Sequence, residues 1–336
     1  MRKFIIIVVL FLGAAFVYLS FGEIESILET LQRGNLWFVL LAFLIQCGWF
    51  LVSGLTYLSI YRVLGMDGTV YKFSLMSAAA NFVNTVAPSA GMGGIAIFIS
   101  DAYRNLQSPG KATVASMLNL FLDYLAFLVV LTLGLIILFR RNDLDPSEIA
   151  ASSIIFAIAI SLGSLLYLGS KSAKALGSTL AWMARLVNRV TRPFIQRDYL
   201  NEARAYEFAS EMAIGLTSLP GQKSSLIKLM LYAFANKALM MCILMACFLS
   251  FRVPFTAGTI IGGFSIAYLF LIVSPTPSGI GIVEGIMPLA LSSLRIPWSQ
   301  AIVITLAYRG VTFWFPLAVG AFAFRILQRG PVKKFA

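Results

Sequence analysis

Four ionisable residues stand inside stretches that are otherwise apolar. Lys237 lies in the middle of Leu226–Ser250, Asp123 within Val114–Phe139, Arg309 within Ile302–Leu327, and Glu284 just after a proline- and glycine-rich break. A charge held in hydrocarbon costs several kcal/mol unless it is paired or wetted, so such groups concentrate where charge is handled. Two chemistries are open to them. They neutralise one another, or Lys237 or Arg309 holds an anionic headgroup while Asp123 and Glu284 balance it, receive a cationic group or carry a coupling proton. Glu284 has a further use, because a carboxylate in the first turn of a helix complements the macrodipole. There is no histidine in the chain, which removes the commonest general base and metal ligand. Cys47, Cys242 and Cys247 fit no zinc or redox spacing and read as packing residues. No phosphate-binding nucleotide loop is present, and the sequence implies no cofactor.

The breaks that would position these groups are Ala87-Pro88-Ser89-Ala90-Gly91-Met92-Gly93-Gly94 and Ser274-Pro275-Thr276-Pro277-Ser278-Gly279-Ile280-Gly281. Proline removes a backbone donor and glycine favours turns, so no continuous helix crosses either one. The return arms Ile95–Leu106 and Ile282–Leu294 are too short to cross a hydrocarbon core alone. Their starts, near Gly94 and Gly281, would aim unpaired N–H groups at one place, which suits phosphate. Asp101 and Arg104 close the first hairpin at its far end. Asn81, Asn84, Asn119 and Gln46 read as interhelical hydrogen-bonding residues.

Apolar residues make up 59% of the chain and charged residues 12%, against about 25% charged in a soluble domain. Full spans are expected at Phe4–Ser20, Leu36–Ile60, Val114–Phe139, Ile149–Gly169, Leu226–Ser250 and Ile302–Leu327. The expected fold is an all-α polytopic membrane protein with about six full spans and two re-entrant helical hairpins of opposite orientation. Net charge is +12, but the basic residues lie between apolar runs, so they read as topology signals and lipid contacts rather than a nucleic-acid surface. The basic segment Ser170–Lys228, Arg62–Lys72, Arg104, Lys111, and both termini are expected to face the cytoplasm. The spans then alternate only if the first hairpin enters from the cytoplasm and the second from outside.

Val86 and Pro88 match Val273 and Pro275 at a lag of 187, Gly91 and Gly93 match Gly279 and Gly281 at 188, and Ala112 matches Ala301 at 189. Similar sequence in opposite orientation is an inverted-topology repeat, whose breaks meet near the midplane and line a site. The expected division is a single transmembrane domain over 1–336. It comprises a first span and amphipathic connector (1–35), repeat one (36–139, hairpin 72–106), an extra span (140–169) and a basic cytoplasmic amphipathic linker (170–225). Repeat two (226–327, hairpin 257–294) and a cytoplasmic tail (328–336) complete it. Leu176, Leu180, Met183, Val187 and Val190 recur at helical spacing in the linker, which fits either an interfacial helix or one packed on the bundle.

The run Pro275-Thr276-Pro277-Ser278-Gly279-Ile280-Gly281-Ile282-Val283-Glu284 resembles the signature of the flippase-like family of the lysylphosphatidylglycerol synthase transmembrane region. Tyr308-Arg309, Thr312, Trp314, Pro316 and Gly320 continue the likeness, and Pro88, Gly93-Gly94, Arg104 and Asp123 resemble the family's other motif. The chain departs from that motif at Ile95-Ala96 and Asn119-Leu120, where charged or polar residues are frequent in the family. The resemblance implies movement of polar-headed lipids between leaflets of the cell membrane. Partners would be anionic or aminoacylated phospholipids or lipid-linked sugars, with self-association left open. A soluble aminoacyl-transfer domain is not expected in this sequence, so neither is lipid aminoacylation. A carrier of a small anionic solute, an intramembrane enzyme and a non-transporting scaffold of envelope biosynthesis are the alternatives.

Overall fold

The structure is a computed structural model that describes residues 25–86, 94–140, 146–195, 202–217, 223–274 and 276–329. A short helix over 25–33 (α1) leads into Leu36–Val63 (α2), which Asn35 caps by accepting the Trp37 N–H at 3.1 Å. A helix of 28 residues is about 42 Å long, more than the ~30 Å hydrocarbon core requires. Five helices have the length and composition to cross: Leu36–Val63, Pro109–Arg140, Glu148–Lys171, Ser224–Ser250 and Trp298–Gln328. They coincide with five of the expected spans, and the sixth, Phe4–Ser20, lies outside the described residues. The protein is an all-α, polytopic membrane protein.

Shorter helices fold back between the spans. Val70–Val86 (α3) and Ile95–Arg104 (α4) run antiparallel. Lys72 pairs with Asp101 at 2.7 Å at their open end, and the Gly94 N–H donates to Asn84 Oδ1 at 2.6 Å at the tip. The next helix is Pro109–Arg140 (α5), with proline in its first turn, where the missing N–H costs nothing. Ala257–Val273 (α10) and Ile282–Ser293 (α11) form the second hairpin, joined by a short turn at Pro277–Gly279. Thr256 and Thr259 form a reciprocal cap at the start of α10. Leu294 and Leu291 of the return arm reach Gly262 and Gly263 of the entry arm, so the absent Cβ atoms let the arms close.

The two hairpins meet at their tips, where Ser278 Oγ lies 3.1 Å from Thr85 Oγ1. Between them run Pro146–Lys171 (α6), Ala173–Ile195 (α7), Glu202–Thr217 (α8) and Lys223–Ser250 (α9). The last span starts as Trp298–Arg309 (α12), passes through a π turn at Gly310–Trp314 and continues as Phe315–Arg329 (α13). Pro316 has no N–H to return to the preceding turn, and the Phe315 N–H reaches back to Gly310 O, so the helix widens there. Helix α2 packs along α9, α3 along α13, and α10 along α5.

The basic linker resolves into helices packed on the bundle. α7 lies on α8, which lies on α5 and α6, and Leu176 is wholly buried. Glu211 of α8 accepts from the Gly110 N–H at 2.9 Å and the Ser108 hydroxyl at 3.1 Å, so a carboxylate caps the positive end of α5.

Candidate functional site

Apolar spans in this chain carry polar residues at helical spacing. Trp49, Ser53 and Tyr57 repeat every fourth residue on α2. Ser77, Asn81 and Asn84 share one face of α3, and Ser116, Asn119 and Asp123 share one face of α5. Intervals of three and four place each set on a single stripe. Packing turns these stripes towards one another around a cavity of about 620 Å³. Asn236 of α9, Tyr268 of α10 and Ser274, Thr276 and Ser278 of the second break complete its polar wall. Ile154 and Ile158 of α6, with Leu271, Ile272 and Val273 of α10, give it an apolar side.

Asp123 is the one charged side chain among the described residues that line the cavity. Lys237 Nζ stands 2.7 Å from both of its carboxylate oxygens and donates to the Tyr268 hydroxyl at 2.7 Å. That hydroxyl in turn donates to Asp123 Oδ2 at 3.1 Å. The ammonium also sits 4.0 Å from the Tyr268 ring centroid, where the ring's negative face attracts it. The Lys237 side chain is 3% exposed and that of Asp123 is 25% exposed. The cation is therefore behind the wall and the carboxylate in it.

Arg309 and Glu284 form a second pair, through Arg309 Nε and Glu284 Oε1. Arg309 Nη2 donates to the Ser278 carbonyl at 3.2 Å, and its guanidinium lies 4.3 Å from the Phe313 ring centroid. Backbone that leaves the helix at membrane depth needs its polar groups satisfied by protein. Here Arg309 meets the turn's carbonyl, and Thr276 Oγ1 donates to Ile280 O at 2.9 Å. The turn itself needs left-handed backbone at Ser278, Gly279 and Gly281, with φ of 47°, 74° and 77°. Pro277 opens it.

The four isolated charges thus come together as two pairs rather than one cluster, and Lys237, Glu284 and Arg309 do not line the cavity. Gly94 does line it, but its N–H is taken by Asn84, contrary to the expectation of a free donor there. Gly281 is not on the wall. Arg104 is engaged elsewhere, donating to the carbonyls of Leu327 at 2.7 Å and Gln328 at 3.4 Å. Pro88, Gly93 and Pro275 fall outside the described residues.

Sequence reasoning gave Asn81, Asn84 and Asn119 a bland bridging role, and it did not single out Tyr57, Ser77, Asn236 or Tyr268. All seven are on the wall. The signal was present as polar stripes at spacings of three and four in runs selected for lipid.

A family model described as the lysylphosphatidylglycerol synthase TM region matches residues 4–320. A UPF0104 membrane protein of Pyrococcus horikoshii is 24% identical over 327 residues, covering 95% of this chain and 96% of that protein. One of Methanocaldococcus jannaschii is 23% identical over 337 residues, covering 98% of this chain and 96% of that protein. No solved structure matches. The match over nearly the whole chain places this protein in the family of the lysylphosphatidylglycerol synthase transmembrane region.

Proposed function

We propose that the protein is a lipid flippase or scramblase, moving a polar-headed lipid between leaflets with its headgroup in the cavity and its acyl chains in the bilayer. The observation that carries this reading is the cavity of about 620 Å³, into whose wall α2, α3, α5, α9 and α10 each bring polar side chains, inside a bundle that otherwise has lipid as its solvent. Its apolar side supports a path for the chains. Ile154, on that side, is 47% exposed.

The proposed route is an inverted-topology repeat. Helices α9, α10, α11 and α12 open at Lys223, Ala257, Ile282 and Trp298, which follow the openings of α2, α3, α4 and α5 by 187 to 189 residues. Packing is exchanged in the same way, with α3 on α13 and α10 on α5. In this reading both hairpins are re-entrant, the first from the cytoplasm and the second from outside, and rocking of one half on the other exposes the site to each leaflet in turn. The protein then sits in the cell membrane with both termini cytoplasmic and performs no covalent chemistry.

Reconstitution into liposomes tests this. Transbilayer exchange of chain-labelled phosphatidylglycerol, aminoacylated phosphatidylglycerol and a polyprenyl-phosphate sugar is read by external quenching. At least one is expected to exchange well above the protein-free rate, and Asn81→Phe, which fills the cavity, to abolish the gain without loss of folded yield. Unaccelerated exchange of every lipid by folded protein overturns the proposal.

A further inference from the structure

The cavity wall is rich in hydrogen-bonding groups and poor in cations. Asn81, Asn84, Asn119 and Asn236 bring amides to it, beside the Asp123 carboxylate. The two buried cations of the core, Lys237 and Arg309, are each bonded to a carboxylate and lie off the wall. The Gly94 N–H is also taken. The sequence from Ala87 to Gly93, outside the described residues, contains no charged residue. A phosphate moved here would meet a carboxylate and, among the described residues, no available counter-ion, at the desolvation cost of a buried unpaired charge.

The wall's one reachable charged group is an acceptor. Asn236 Oδ1 and Ser77 Oγ have no hydrogen-bond partner among the described residues but are closed off behind the wall, whereas the Asp123 side chain is 25% exposed. The Asp123 carboxylate accepts only. A phosphodiester likewise offers only acceptors, whereas a hydroxyl both donates and accepts. Trp49, Tyr57 and Tyr124 supply flat apolar faces beside polar edges on the same wall. The volume of about 620 Å³ falls within the ~300–1,000 Å³ of small-molecule sites.

We infer that the cavity takes an uncharged, hydroxyl-rich headgroup of glycosyl or polyol chemistry in preference to a phosphate-bearing one. This rests on the lipid-translocation reading above and names its substrate class. Asp123 accepts from the headgroup's hydroxyls, and the asparagine amides both give and accept.

The test uses the full chain in vesicles of phosphatidylcholine with chain-labelled glucosyl diacylglycerol or chain-labelled phosphatidylglycerol, and separately with free labelled glucose outside. Glucosyl diacylglycerol is expected to exchange at least about tenfold faster than phosphatidylglycerol. Asn119→Ala and Asn81→Ala should each lower its rate about five- to tenfold, the cost of one lost hydrogen bond. Size-exclusion profiles of both variants check folding, and either folded variant suffices. Equal acceleration of both lipids overturns the inference and leaves translocation standing. Acceleration of neither lipid overturns both readings. Entry of free glucose with no exchange of its lipid keeps the headgroup chemistry and overturns the lipid source.

Discussion

At Asp123 and Lys237 the partners of one ion pair meet different surroundings. Removing Asp123 strands an ammonium that is 3% exposed, while removing Lys237 strands a carboxylate that is 25% exposed and faces the cavity, where water can reach it. Breaking a buried pair from the side that strands the deeper charge costs roughly 3–5 kcal/mol. Asp123→Asn is therefore expected to lower thermal stability in detergent more than Lys237→Met, and the double variant to recover part of the Asp123→Asn loss. Equal losses from the two single variants would contradict this placement. The charges themselves were legible in sequence because each stands alone in an apolar run. Their pairing was not, since Lys237 and Asp123 are 114 residues apart and only helix packing brings them together. The place of the asparagines on a cavity was not legible for a related reason. One amide in a span is ordinary, and only the packing of α2 against α3, α5 and α9 turns three stripes into a wall.

Among the elements, the breaks were the most readable feature, because proline and glycine act locally and need no tertiary context. The second break also illustrates a limit of such reading, as Gly279 and Gly281 look alike in sequence and differ in their surroundings. Both have left-handed backbone, but a Cβ on Gly279 would press on Val283 and the Leu271 backbone, whereas one on Gly281 meets nothing within 4 Å. Gly281→Ala should cost only the backbone strain of about 1 kcal/mol, and Gly279→Ala clearly more. Melting temperatures of the two variants decide this, and a larger loss at Gly281 would contradict the turn's geometry. The Glu211 cap on α5 was not legible, because its acceptor and donors are about a hundred residues apart and α8 must first dock. Composition alone left the linker poised between a membrane-surface helix and a packed one. Leu176 in the core and the docking of α7 on α8 show it packed.

Across the whole molecule, the lag of 187 to 189 residues in sequence reappears as matched element openings and exchanged packing partners. Its meaning in a membrane depends on sidedness. Asp67, in the α2–α3 connection, and Ser299, at the start of α12, are both exposed. Cysteines at these positions are expected to react with an impermeant maleimide from opposite faces of the membrane, and labelling from one face would end the inverted-repeat account. The repeat leads to the expectation that the breaks meet near the midplane, but which side chains touch was beyond sequence. That contact gives the most direct test of the central claim, that a headgroup crosses through the space between the hairpins. Thr85 Oγ1 and Ser278 Oγ are 3.1 Å apart, so Thr85→Cys with Ser278→Cys should oxidise to an internal disulfide with little backbone movement. The measurement is transbilayer lipid exchange by this one variant, oxidised and then reduced in the same vesicles, with the cross-link verified by mass spectrometry. Exchange should fall to the protein-free rate when the tips are tied and return on reduction. Undiminished exchange by fully cross-linked protein would contradict the account.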